Sequence, residues 1–359
     1  MDSLSLNDKP KGYQEYALGD FTLQSGGTIP NASIAYKTFG SSSNPAIIYP
    51  TWYSGTIATN EWLIGKDKTL NPDKYYIVIV ALFGNGESSS PSNRPDIPKP
   101  FPNVTVYDNV KAQYQLVTKE LGIKHAKAVL GWSMGAGQTF QWATQYPDFM
   151  DYIAPFCGAA KTSLHNQVFL EGVKSALLGP KSAASGGICK GETSSGDKYR
   201  EWSDEEKTVG LKALGRVYAG WGFSQAFYRE KVYETVLGFK GLEDFMVGWW
   251  EGWALSKDPE NMLVMLHTWQ AGDCSAQEPY NGDFKAAMQG IKAKALVLPA
   301  KTDLYFPPED SEIEVENMRP GIGKLAVFPS IWGHWAGGPG DSKDDVKWLD
   351  DQLREFFES

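Results

Sequence analysis

The chain has 359 residues and a formal net charge of −9 at pH 7. This length allows a large buried core, and the acidic balance argues against nucleic acid as a partner because phosphate binding requires a basic surface. No stretch approaches the ~20 apolar residues of a membrane span, and the N-terminus lacks the basic and apolar segments of a secretory signal. We therefore expect a cytoplasmic protein with neither a membrane nor a nucleic-acid partner.

Cysteine usage excludes two further classes of protein. The three cysteines are too few and too scattered for a disulfide framework or a zinc site; they are Cys157, Cys189 and Cys274. We expect no metal and no cofactor.

The first part of the chain alternates between strand-like and helix-like segments. Residues 46–49 form a short apolar run, 75–82 have the pattern of a fully buried strand, and 108–121 have apolar residues at helical spacing. Such alternation predicts an α/β protein with a mostly parallel sheet and helices on both faces.

The loop after the run at 46–49 is a candidate for one half of an oxyanion hole. Such a site requires two backbone N–H donors. We assign one of them to the backbone N–H of Tyr53. The N–H of Trp52 is the alternative, because the sequence does not decide between two consecutive residues. The second donor is expected from Met134, directly after the serine described next.

The pentapeptide Gly131-Trp132-Ser133-Met134-Gly135 has the pattern G-x-S-x-G, between an apolar run at 126–130 and a helix-like stretch at 138–144. A strand, a tight turn and a helix in this order are the context of a nucleophile elbow, in which the serine hydroxyl projects above the sheet. The flanking glycines are needed because the strand and helix backbones nearly touch there. The pattern predicts that Ser133 is a nucleophile.

A strand predicted at 152–156 is followed by a segment that breaks the alternation. Residues 162–285 carry six of the thirteen tryptophans and predict an inserted, largely helical lid, in which the Gly-, Ser- and Lys-rich stretch 179–198 is a loop. This divides the chain into a first core part at 1–161, the lid at 162–285 and a second core part at 286–359.

The second core part contains candidates for an acid and a base. Asp303 follows an apolar strand at 293–300, and His334 lies in a Gly-rich loop after the strand-like residues 324–328. A carboxylate at the C-terminal end of a parallel strand faces the same side of the sheet as the elbow serine. We expect Asp303 to orient His334, which takes the proton of Ser133.

The remaining histidines have simpler interpretations. His125 precedes the nucleophile strand, at its opposite end. His165 and His267 fall in the lid, where either could contact the substrate, but a packed or solvated histidine is the simpler interpretation. An amphipathic helix predicted at 344–357 ends the chain.

These motifs resemble the homoserine O-acetyltransferase branch of the α/β-hydrolases. The likeness rests on the elbow, on residues 303–308 and on the Gly333-His334 pair; it covers the chain up to about residue 160 and resumes near Ile291. The resemblance implies an α/β-hydrolase fold with an inserted helical lid and an acyl-enzyme chemistry. The oligomeric state that we expect is a homodimer.

One departure from that branch concerns the substrate. In the family, an aspartate after the catalytic histidine helps to hold the amino group of homoserine, whereas here that residue is Trp335. Loss of a charged anchor costs roughly a few kcal/mol of binding, which disfavours homoserine. With Trp52, Trp132 and Trp335 near the nucleophile, we predict a large, aromatic-lined pocket that favours an apolar small-molecule substrate.

Three functions remain open. The leading one is a serine-dependent hydrolase of an ester, thioester or lactone that forms an acyl-enzyme. The second is an O-acyltransferase that uses the same intermediate with acyl-CoA as the donor. The third is a ligand receptor on a hydrolase scaffold without turnover.

Overall fold

The computed structural model describes residues 12–184 and 200–358. Its central sheet is built from eight strands within these residues: β1 Gln14–Thr22, β2 Thr28–Phe39, β3 Ala46–Pro50, β4 Tyr76–Val80, β5 Ala126–Trp132, β6 Met150–Phe156, β7 Lys294–Val297 and β8 Gly323–Leu325.

The sheet has the order β1-β2-β4-β3-β5-β6-β7-β8. The pairs β1–β2 and β2–β4 are antiparallel, and all the other neighbours are parallel. β3 and β4 are buried along their whole length, as expected of central strands that are covered on both faces. The predicted mostly parallel sheet is confirmed.

Helices cover both faces of this sheet. Alternate residues of β3 enter two separate hydrophobic clusters, because successive side chains of a strand point to opposite faces. The helices are α1 Val106–Gln115, α2 Met134–Gln145, α3 Leu164–Ala184, α4 Asp204–Gly222, α5 Gln225–Arg229, α6 Val232–Thr235, α7 Leu242–Phe245, α8 Gly252–Leu255, α9 Pro259–Gln270, α10 Phe284–Gly290, α11 Pro308–Asn317 and α12 Lys343–Glu358.

The first helix begins earlier than the apolar pattern suggested. Thr105 is its N-cap: the Thr105 side chain accepts a hydrogen bond from the Asp108 backbone N–H, and the Asp108 carboxylate accepts one from the Thr105 backbone N–H. This reciprocal capping satisfies two backbone donors at the helix start. After Gln115 the chain continues as a π-helical turn, Leu116–Glu120.

The chain between β6 and β7 contains α3 to α10, and we call α3 to α9 the cap. The predicted loop at 179–198 is wrong in its first part, because α3 continues to Ala184; residues 185–199 lie outside the described residues. The last turn of α3 is retained by tertiary contacts: Lys181 is buried, with its Nζ 3.5 Å from Glu260 Oε1 and over the ring of Trp202.

The chain ends in a helix close to the predicted one. α12 buries Leu349, Leu353 and Phe356, whereas Val346 is only half-buried. In the part of the chain that the structure describes, every helix is too short or too polar to cross a membrane.

Candidate active site

Ser133 lies in the tight turn between β5 and α2. Its backbone has φ +58° and ψ −124°, a conformation that non-glycine residues rarely adopt and that costs on the order of 1–3 kcal/mol. A Cβ on Gly131 would lie 2.5 Å from the Gly135 carbonyl carbon, and one on Gly135 would lie 2.9 Å from the Pro50 carbonyl oxygen. The two glycines of the motif are therefore required by close backbone contacts, as the sequence pattern predicted.

Neighbouring backbone holds this strained residue. The Ser133 N–H donates to the Phe156 carbonyl at 3.0 Å, and the Ser133 carbonyl accepts from the N–H groups of Ala136 and Gly137. Gly158 packs so closely that a Cβ there would lie 2.4 Å from the Ser133 carbonyl oxygen. The turn is thus held by both neighbouring strand and helix backbone.

Asp303 and His334 meet at a buried hydrogen bond. Asp303 Oδ2 lies 2.8 Å from His334 Nδ1, and the two side chains are 0% and 3% exposed. Asp303 Oδ1 accepts further hydrogen bonds from the backbone N–H groups of Tyr305 at 2.8 Å and Phe306 at 3.1 Å. When the Nδ1–H group donates to this carboxylate, the neutral imidazole has Nε2 as its unprotonated nitrogen. Nε2 is then the atom that can accept a proton from a serine.

Aromatic rings enclose His334, which belongs to the 3₁₀ turn Gly333–Gly337. The Trp132 ring stacks on the imidazole with centroids 4.9 Å apart and an interplanar angle of 25°, and Trp132 Nε1 donates to the His334 carbonyl at 3.2 Å. Tyr305 contacts the imidazole edge-on at 4.6 Å. The residue before Ser133 thus contacts the histidine directly, which brings the elbow and the Asp303–His334 pair together.

A small pocket reaches Ser133 and Met134. Its volume is about 360 Å³, and part of this space is open to solvent. Many of its lining residues are small, and the rest are mostly apolar: Val106, Ser133, Met134, Gly137, Gln141, Ala159, Ala160, Thr162, Trp269, Gly272, Asp273, Cys274 and Phe306. Phe306 also contacts His334, with ring centroids 5.5 Å apart.

The expectation of a large, aromatic-lined substrate site stays a prediction, and this pocket has a different lining. Trp52, Trp132 and Trp335 are not among its lining residues. Instead they pack edge-on against one another, with centroids 4.8 Å apart for Trp52 and Trp132 and 5.6 Å for Trp132 and Trp335. Trp132 and Trp335 contact the imidazole of His334, with ring centroids 4.9 and 6.1 Å apart, and Trp52 packs on Trp132. Trp269, from α9, is the tryptophan in the pocket wall.

The predicted oxyanion donors lie on two adjoining segments. Met134 is the first residue of α2, where backbone N–H groups have no partner within the helix. The loop that contains Tyr53 begins against this helix, because Gln138 Nε2 donates to the Thr51 carbonyl at 2.8 Å. Tyr53 itself is buried and stacks on Tyr218 at 5.9 Å. The choice between the N–H groups of Tyr53 and Trp52 stays a prediction.

The other three histidines have separate surroundings. His125 lies 2.9 Å from the exposed Asp151, and His165 packs on Trp221. Burial, with a smaller contribution from Lys174, lowers the pKa of His267. Within the described residues, there is no group of three or more His, Cys, Asp or Glu side chains that could hold a metal ion.

A polar network missed by the sequence analysis supports the histidine loop. Thr302 Oγ1 donates to the Ser330 carbonyl at 3.0 Å and accepts from the Gly333 N–H at 3.1 Å. Ser330 Oγ donates to the buried carboxylate of Asp345 at 2.7 Å. The position of Thr302 beside Asp303 was the only sequence signal, because the partners of Thr302 are about thirty residues away.

Glu314 was also missed, and it supports the pocket wall. Its Oε1 accepts from the Ala160 N–H at 2.5 Å, and Ala160 lines the pocket. Burial raises the pKa of Glu314 to about 8. It is one of several acidic residues in α11, and nothing in its own segment marks it as buried.

The chain is similar to several known proteins. Residues 58–174 match the family model described as alpha/beta hydrolase fold. A probable esterase of Corynebacterium glutamicum is 35% identical over 97% of this chain and 96% of its own length. An ethyl acetate hydrolase of Pseudomonas veronii is 33% identical over 100% of this chain and 99% of its own. The solved structure of the acetyl esterase MekB is 32% identical, has a TM-score of 0.87 and covers 97% of both chains.

The branch predicted from the motifs is also represented. A homoserine O-acetyltransferase of Trichormus variabilis is 24% identical over 88% of this chain and 86% of its own length. The resemblance to this branch is confirmed, although the two relatives named above are more similar. From its fold and these relatives, the chain belongs to the α/β-hydrolase family.

Proposed function

We propose that this protein hydrolyses small esters through an acyl-enzyme formed on Ser133. The observation that carries the proposal is the convergence of three features at one place: the strained turn of Ser133, the small pocket that ends on it, and the buried Asp303–His334 pair. Trp132 and Phe306 link these features by direct contacts with His334. The esterases among the relatives support the same chemistry.

In the proposed mechanism, Ser133 Oγ attacks the ester carbonyl while His334 Nε2 takes its proton. Asp303 accepts the Nδ1 hydrogen bond and stabilises the imidazolium. The N–H groups of Met134 and Tyr53 donate to the oxyanion. Collapse breaks the bond to the alcohol oxygen, which receives the proton from His334. Water, activated by the same histidine, then attacks the acyl-enzyme and releases a carboxylic acid.

The pocket wall supports a short acyl group as the part of the substrate that Ser133 attacks. Side chains such as Val106, Trp269 and Phe306 form its wall, and we expect an acetyl or propionyl group to fit there better than a long acyl chain. Its mostly apolar wall agrees with the predicted preference for apolar groups. Hydrolysis of ethyl acetate by one relative supports a short acyl group.

The test combines an acyl series with removal of the nucleophile. Initial rates with p-nitrophenyl acetate, butyrate and octanoate should give a kcat/KM that falls steadily with chain length. Ser133→Ala should lower kcat by roughly 10³-fold or more with each substrate that the wild type hydrolyses, because the acyl-enzyme can no longer form. A folded Ser133→Ala variant with wild-type rates would exclude this mechanism.

Acyl transfer from acyl-CoA to an alcohol is the second candidate. It is favoured by the relationship to homoserine O-acetyltransferases and by the deep burial of His334, which limits access of water. Product analysis with acetyl-CoA, with and without an added alcohol, separates transfer from hydrolysis. The third candidate, a receptor without turnover, predicts no rapid labelling of Ser133 by a phosphonate probe.

Residues 162–285 are proposed to act as a lid on the two core parts, 1–161 and 286–359. Trp269 and Gly272, which lie in this segment, line the pocket together with Ser133 and support this division. The homodimer and the cytoplasmic location stay predictions.

A further inference from the structure

The cap touches the loop of His334 along a seam of close backbone contacts. Gly333 has φ +64°, and a Cβ there would lie 2.7 Å from the Ser224 nitrogen and 3.0 Å from the Phe223 carbonyl carbon. The Ser224 hydroxyl donates to the Ile331 carbonyl. The seam therefore joins the end of α4 and the start of α5 to the residues directly before His334.

Ser224 has two roles at this seam. It is the N-cap of α5, where its Oγ accepts from the Phe227 N–H at 3.0 Å, and it is 3% exposed. The same hydroxyl uses its proton for Ile331. One buried side chain thus ties the start of a cap helix to the histidine loop.

The opposite side of the loop is held by the core. Thr302 bonds both the Ser330 carbonyl and the Gly333 N–H, as described above. The loop is therefore fixed between Thr302 on one side and Ser224 on the other. Since His334 follows Gly333 directly, a shift of the cap is transmitted to the imidazole across very few bonds.

We propose that Ser224 is a positioning residue that couples the cap to the orientation of His334. The cap is then part of the frame that aligns the base, and it does not act only as a cover for the pocket. This inference rests on the proposed function, because its effect is measured on ester hydrolysis.

The test compares two N-cap serines of the cap. Ser203 caps α4, its side chain accepts from the Glu206 N–H at 3.2 Å, and it is exposed. Ser203→Ala and Ser224→Ala each remove the N-cap of a helix, so both should lower the stability of the protein to a similar extent. Only Ser224→Ala also removes the bond to the histidine loop, so we expect kcat to fall roughly tenfold or more, with KM within about twofold of the wild-type value. Ser203→Ala should keep the wild-type kcat.

Two further variants cover the case in which Ser224→Ala does not fold. Ser224→Thr keeps the hydroxyl and should restore kcat, whereas Ser224→Cys keeps the size with a weaker donor and should give an intermediate kcat. Equal kcat values for the Ser203 and Ser224 alanine variants, or a wild-type kcat for Ser224→Cys, would overturn the proposal. Failure of the proposed function looks different, since the wild type itself would then show neither ester hydrolysis nor phosphonate labelling.

Discussion

Trp132 differs most between its expected and its observed surroundings. The sequence placed it beside the nucleophile and suggested a substrate contact, but its ring stacks on the imidazole of His334 and its indole N–H bonds the backbone of the same residue. An imidazolium that forms during attack would face the π-electrons of this ring, an arrangement worth roughly 0.5–2 kcal/mol when it is desolvated. Trp132 therefore helps to hold the His334 ring in place, and it is not part of the wall of the pocket described above.

The buried carboxyl group of Glu314 is expected to make the stability of the protein depend on pH. Burial, followed by the nearby Asp310 charge, raises its pKa from 4.5 to about 8, although the Ala160 N–H opposes this shift. Between these two values the folded state retains a proton that the unfolded state loses, so the contribution of Glu314 to stability falls as the pH rises. In Glu314→Gln the amide cannot ionise, and its oxygen can still accept from Ala160.

We therefore expect Glu314→Gln to unfold at a higher temperature than the wild type at pH 8. The difference should shrink toward pH 5, where the wild-type carboxyl is protonated in the folded state. Thermal unfolding from pH 5 to pH 9 measures both. Glu309→Gln, on the exposed side of the same helix, is the control and should follow the wild-type profile. Parallel profiles for the wild type and Glu314→Gln would refute the assignment.

The tight turn at Ser133 depends both on glycines of its own motif and on a glycine from another part of the chain. Gly131 and Gly135 come from the motif itself, but Gly158, at the end of β6, is needed as well because it packs on the Ser133 carbonyl. Nothing near Gly158 in the sequence indicated this contact. The turn is thus specified by one local pattern and completed by a neighbouring strand.

Gly158→Ala tests this dependence. The added Cβ would lie 2.4 Å from the Ser133 carbonyl oxygen and 2.5 Å from Ala136 Cβ, so backbone has to shift. We expect a loss of about 1–3 kcal/mol in the free energy of unfolding, together with a lower kcat. Gly172→Ala on α3 is the matched control: its Cβ meets no atom within 4 Å, and the substitution should stabilise the helix by about 0.5–1 kcal/mol. Urea unfolding and ester hydrolysis measure the two effects, and unchanged values for Gly158→Ala would contradict the packing argument.

At the scale of the molecule, the cap and one face of the sheet share a hydrophobic core. One cluster of buried residues contains Tyr49 and Leu130 from the sheet together with Leu214, Phe223 and Trp250 from the cap. We expect residues that share a continuous core to unfold together as one cooperative unit. The cap is therefore not a separately stable layer on the sheet.

This shared core predicts one unfolding transition for the cap and the sheet. Six of the thirteen tryptophans lie in residues 162–285, so a separate unfolding of the cap would change the tryptophan fluorescence, whereas far-ultraviolet circular dichroism reports on the whole backbone. The two signals should change at the same urea concentration. An earlier fluorescence transition would mean that the cap unfolds by itself, which would also weaken the proposed coupling through Ser224.

The sequence by itself determined the features that depend on short segments. The tight turn at Ser133 follows from two glycines around a serine between a strand and a helix, and the strands before Asp303 and His334 follow from apolar runs. The order of these segments in a mostly parallel sheet then indicated that the two side chains would meet, because the carboxyl ends of parallel strands share one edge.

Only the tertiary structure decided what fills the space around them. The directions of Trp52, Trp132 and Trp335, the small volume of the pocket and the burial of Glu314 all depend on helices that approach from distant parts of the chain. Ser224 and Ile331 are 107 residues apart, and no periodicity or motif connects them. A sequence pattern reports the conformation of its own segment, whereas the contacts across a core are set by the packing of every segment that meets there.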